Sequence, residues 1–107
     1  MTDEEKIVAQ ALAAADERAA GPVSEEGCAA YVRAYAIRQL PVDVAARILR
    51  QEILEALRGG RPSNSWTAHG FWLRFCARQA GMTLRVVPME SELRIRAQVY
   101  AKRRGRP

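Results

Sequence analysis

Six basic side chains crowd the end of this chain: Arg94, Arg96, Lys102, Arg103, Arg104 and Arg106, with no carboxylate after Glu92. A guanidinium offers a planar fork of donors that fits phosphate or carboxylate oxygens two at a time. Arg103, Arg104 and Arg106 fall in or beside a short basic tail, 103–107, free to reach a phosphate or an acidic groove. Earlier in the chain Arg74 and Arg78 stand four residues apart, among Trp66, Phe71, Trp72 and Phe75. Aromatic rings near arginines stack on bases or plug a partner's pocket. Trp72 and Phe75 are expected in the core, and Trp66, beside an Arg-Pro-Ser-Asn run, at the surface. Arg94, Arg96, Lys102, Arg103, Arg104, Arg106, Arg74, Arg78 and Trp66 therefore form the candidate partner-binding set. The plainer alternative is a solvated helix end whose cations complement the helix dipole.

No catalytic residue is expected. His69 has no carboxylate or cysteine at a spacing that would make it a base or a metal ligand, and Ser63, Ser65 and Ser91 have no nucleophile-elbow context. Gly59-Gly60 leads into an Arg-Pro turn instead of the lysine-bearing helix of a phosphate loop. Cys28 and Cys76 lack a CxxC pairing and read as free buried thiols, too few with one histidine to close a zinc site. The expectation is a non-enzyme with no cofactor, no metal and no small-molecule substrate.

Charge is divided along the chain. Residues 1–57 carry ten carboxylates against six basic groups, and residues 58–107 carry eleven basic groups against Glu90 and Glu92, a net of −4 beside +9. No Asp or Glu occurs between Glu55 and Glu90. Such a field attracts phosphate backbones or acidic protein surfaces. At 107 residues, 49% apolar and 27% charged, the chain is expected to fold as one globular domain over 1–107. The start MTDEEKIVAQALAAADE has neither the basic region nor the apolar run of a secretory signal, and no run reaches membrane-spanning length. A cytoplasmic protein of the host cell, without membrane contact, is expected.

The elements that must position these residues read as helices. Thr2 and Glu5 form a capping box for a helix over 3–19, whose face is Ile7, Val8, Ala11, Leu12 and Ala15, ended by Gly21-Pro22. Ser24 caps a second helix reaching about Leu40. A third runs over 42–58 behind Pro41; Val44, Ile48, Ile53, Leu54 and Leu57 give it the widest apolar stripe, so it is expected at the centre of the bundle. Residues 61–64 are a surface loop, and Ser65 caps a fourth helix over 66–80 with Ala68, Phe71, Trp72 and Phe75 inward, ended by Gly81. Residues 82–87 read as an extended connection. Residues 88–104 alternate like a strand, which would pair with 82–87 as a hairpin (82–87 with 93–101). The Glu90–Arg94 and Glu92–Arg96 spacings, Pro88 before them and Gly105 after favour a fifth helix, and a mainly helical five-helix bundle is the fold expected.

Residues 76–87, CARQAGMTLRVV, resemble the first half of a helix-turn-helix DNA-binding motif: Ala77 stands four before Gly81, Thr83 is placed to cap a second helix and Val87 takes the inward position. Pro88 then falls one turn into the would-be recognition helix, where a proline costs ~3 kcal/mol. In overall format the chain resembles the small helical inhibitors that phages carry against CRISPR surveillance complexes, compact, with an acidic front MTDEEK and a basic end YAKRRGRP. That resemblance implies a non-catalytic protein that docks a protein partner within a nucleic-acid-binding complex and blocks it. Many such inhibitors are acidic mimics of DNA, and the net charge of +5 departs from them, so the mechanism implied is occlusion of a protein site. A helix-turn-helix transcriptional regulator is the alternative, and direct contact of the basic half with DNA or RNA stays open.

Overall fold

The computed structural model describes residues 1–60 and 66–104, residues 66–68 and 104 through their backbone. The expected loop 61–64, the Ser65 cap and Arg106 lie outside the described residues, as do the side chains of Trp66, Ala68 and Arg104. Among the described residues the chain forms five α-helices and no strand: α1 (Asp3–Ala19), α2 (Glu25–Arg38), α3 (Val42–Leu57), α4 (Trp66–Gln79) and α5 (Glu90–Arg104), with one 3₁₀ turn at Leu84–Val86. The helical reading of the chain's end therefore holds, and the hairpin does not form.

Local chemistry sets the boundaries. The Thr2 hydroxyl accepts from the Glu5 backbone N–H at 3.1 Å and the Glu5 carboxylate accepts from the Thr2 N–H at 3.0 Å, the reciprocal box that starts α1. Ser24 Oγ accepts from Gly27 N at 3.0 Å to start α2. α3 and α4 stop in the same way. Gly59 (φ +89°) and Gly81 (φ +74°) take the left-handed conformation that side chains resist. The Gly60 N–H then bonds back to Glu55 O and the Met82 N–H to Ala77 O, at 2.9 and 2.8 Å, satisfying carbonyls the helix end would leave bare. α5 begins two residues later than Pro88, with Leu93 N donating to Met89 O at 3.1 Å.

One core draws on all five helices. Val32, Ala36 and Ile37 of α2, Ala45, Ile48 and Leu49 of α3, Leu73, Cys76 and Ala77 of α4, and Leu93, Ala97 and Tyr100 of α5 form one buried cluster, and Ile7, Val8, Ala11 and Leu12 of α1 pack against it.

The centre is α2 with α4, not α3. α2 packs against α1, α4 and α5 and α4 against α2, α3 and α5, whereas α3 packs against α1 and α4. The reason is size. Gly27, Cys28, Ala29, Ala30, Ala34 and Ala36 are all buried, so neighbouring helices approach α2 from several sides. A helix buried all round carries no one-sided stripe, so the widest stripe marks a helix at the edge. α3 is such a helix: Ile48 is 1% exposed, but Ile53 is 57% and Leu57 80% exposed.

Candidate binding face

α5 turns Leu93, Ala97 and Tyr100 into the core, and its opposite side carries the charges. Tyr100 is fixed by its hydroxyl, which donates to Ala19 O at 3.0 Å, and by stacking on Tyr31 with ring centroids 4.9 Å apart. That anchorage sets the rotation of α5. Arg94, Ile95, Gln98, Lys102 and Arg103 then stand in solvent. Glu90, Ser91, Arg94, Ile95 and Gln98 line an open depression of about 470 Å³. Arg94 reaches Glu90 at 3.4 Å, the ion pair expected from the spacing.

The second expected pair does not form. Glu92 accepts instead from the Tyr35 hydroxyl at 2.9 Å, and Arg96 lies over the Tyr35 ring, 4.5 Å from its centroid. Contact with Tyr35 holds the Arg96 guanidinium above its ordinary pKa. Arg96 is thus partly spoken for by its own fold, while Lys102 and Arg103 are exposed at the last turn, where cations suit the helix dipole.

α4 supplies the neighbouring surface. Arg74, half-buried, donates to Met89 Sδ at 3.6 Å, which joins α4 to the start of α5. Arg78 is exposed. Phe71, expected inward, is 68% exposed: Gly70, Leu73, Cys76 and Ala77 fill the inner side of α4, and Phe71 falls opposite them. Trp72 and Phe75 do pack on the core, with ring centroids 5.4 Å apart. The expected residues fall on two surfaces, Arg74 and Arg78 on α4 and Arg94, Lys102 and Arg103 along α5, with Arg96 set aside on Tyr35; the exposed Phe71, Met89 and Ile95 are residues the sequence reading missed. For Phe71 and Ile95 the signal was present: each stands about half a turn from a residue of the inner row.

Burial holds His69, Cys28 and Cys76 in their neutral forms. His69 is 6% exposed, and burial, with Arg33 nearby, pushes its pKa down to about 3. Its Nε2 and the Trp72 Nε1 have no hydrogen-bond partner among the described residues. Burial, with Glu52 and Glu55, pushes the Cys76 thiol up to about 12, and burial with Glu25 raises Cys28. Both cysteines are free and buried. Among the described residues no group of three His, Cys, Asp or Glu side chains is placed to hold a metal, and no helix is long and apolar enough to cross a membrane.

In the stretch that resembles a helix-turn-helix, α4 and its Gly81 stop are in place. The second helix is not: Leu84–Val86 is a single 3₁₀ turn, Thr83 makes no side-chain cap, and Val87 is extended at φ −101° and ψ 129°. Comparison of the chain with protein-family models, with curated proteins and with solved structures finds no match to any of them.

Proposed function

We propose that this chain is a non-catalytic binding protein that docks on a nucleic-acid-handling protein complex and blocks its nucleic-acid binding, as the phage inhibitors of CRISPR surveillance complexes do. The observation that carries the reading is the make-up of the outer side of α5. Ile95 is 58% exposed, and Arg94, Lys102 and Arg103 are exposed along the same helix. A surface that only gripped phosphates would have no use for an apolar centre, whereas protein interfaces combine an apolar core with a polar rim and draw much of their energy from arginines and large apolar anchors. The positive sign of the rim suits an acidic protein surface and speaks against mimicry of DNA.

The test is a mobility-shift assay with purified surveillance complexes and a labelled target duplex. Pre-incubation with the protein should abolish target binding with a saturation point at one protein per complex, and Ile95→Glu or Arg94→Ala combined with Arg103→Ala should restore it. Target binding that is unaffected at large molar excess, for complexes of several types, would sink the reading.

A further inference from the structure

The outer face of α4 holds a second arrangement, independent of the first. Phe71, Arg74, Phe75 and Arg78 follow the spacing of one helical face, and Phe71 is 68% exposed there. Leu73, Cys76 and Ala77 already satisfy the packing of the helix, so the core has no need of the Phe71 ring. Phe75 is half-buried and backed by the Trp72 ring at 5.4 Å, so it is held rigidly beside Phe71, about 6 Å further along the helix axis. Arg78 is exposed and has no partner among the described residues; the hydrogen bond of Arg74 among them is to the Met89 sulfur. No carboxylate lies in the chain between Glu55 and Glu90, and Glu90 itself is engaged by Arg94.

We infer that the α4 outer face binds single-stranded nucleic acid, with a base stacked on Phe71 and the flanking phosphates held by Arg74 and Arg78. Cations that track the backbone and an aromatic side chain that offers its face to a base are the two components such sites share. The strandedness follows from the ring. In a duplex the base faces are covered by their neighbours, and α4 offers its side with Phe71 outermost, which leaves the ring nothing to stack on. In a single strand every base has a free face.

The experiment is fluorescence anisotropy with a labelled oligodeoxythymidine, the matching oligouridine and a duplex of equal length, at several salt concentrations. Saturable binding to the single strands, weaker for the duplex, is expected. Phe71→Ala should weaken single-strand binding roughly tenfold without altering its salt dependence, as loss of one stacked base does. Arg78→Gln should weaken it and reduce the slope of log affinity against log salt by about 0.7, the loss of one phosphate contact. Phe71 and Arg78 are exposed, so both variants should keep the parent's circular dichroism. The inference is overturned by absence of saturable binding at low salt, by duplex binding as tight as single-strand binding, or by a Phe71→Ala variant of parental affinity, which would reduce the site to unspecific attraction between charges. None of these outcomes bears on the inhibitor reading, which is tested with a protein complex and with residues of α5.

Discussion

The Arg96 guanidinium lies 4.5 Å from the centre of the Tyr35 ring while the Tyr35 hydroxyl donates to Glu92 at 2.9 Å, so one tyrosine of α2 bridges two residues of α5 that stand at ion-pair spacing. The bridge ties the outer edge of α5 to the central helix. Tyr35→Leu removes both contacts and should speed amide hydrogen exchange across α5 while leaving α1 unchanged. Tyr35→Phe keeps the ring under the cation and should stay close to the parent. Equal exchange rates in the parent and the leucine variant would show the bridge to be incidental.

Arg33 and Glu52 join α2 to α3 through a two-contact ion pair, at 2.6 and 2.5 Å, with side chains 23% and 13% exposed. At that depth the partners are poorly hydrated, and losing one strands the other. Glu52→Ala should cost about 2 kcal/mol, between the values for exposed and buried pairs. Because the two residues act together, the double variant with Arg33→Ala should cost less than the sum of the singles by roughly 1 kcal/mol. Urea denaturation of the four proteins gives the coupling directly, and strict additivity would rule the pair out as a stabilising contact.

Ile53 and Ile48 belong to the same stripe of α3 but not to the same environment, at 57% and 1% exposure. Ile48→Asp would bury a carboxylate with no partner and should leave the chain unfolded, since the penalty reaches the whole stability of so small a domain. Ile53→Asp should fall within about 0.5 kcal/mol of the parent, as surface changes do. Thermal melts that ranked the two alike would contradict the packing of α3.

His69 gives the fold an acid sensitivity. Its folded pKa of about 3 lies below the unfolded value of 6.5, so only the unfolded chain takes up the proton between those limits. Stability from this group is whole above pH 6.5 and declines as the pH falls towards 3. At pH 5 the loss amounts to about 2 kcal/mol. Denaturant midpoints should therefore be flat from pH 8 to 7 and fall below 6.5, and His69→Leu should remove about one proton's worth of that slope. Parallel profiles for parent and variant would mean that the imidazole is not buried neutral.

Helix boundaries were legible in the sequence because single residues dictate them: Thr2 with Glu5, Ser24, Gly59 and Gly81 each satisfy backbone groups by local chemistry that no tertiary contact needs to complete. The arrangement of the helices was less so. Periodicity shows which side of α3 is apolar but not how far along its length a neighbour reaches, which is why Ile53 and Leu57 read as core. It understated α2, whose alanines and glycine show little hydrophobic contrast and yet admit three neighbours. On the candidate face, Arg94, Lys102 and Arg103 were legible from charge alone. The engagement of Arg96 by Tyr35 was not, since it depends on how α5 is rotated against α2, and the outward turn of Phe71 was hidden by the assumption that aromatic residues of one helix share one side.

The two buried cysteines make the bundle its own stopwatch. A thiol held near pKa 12 without access to solvent does not react with an alkylating reagent, so Cys76 can be modified only during moments when α4 parts from its neighbours. Cys28, on the central helix and with its Sγ 3.8 Å from Ala97 O, is released when α5 leaves α2. Two labelling rates, followed separately by mass, would thus time the departure of two different helices from one core, and a ligand seated on α4 or α5 would announce itself by slowing one clock more than the other.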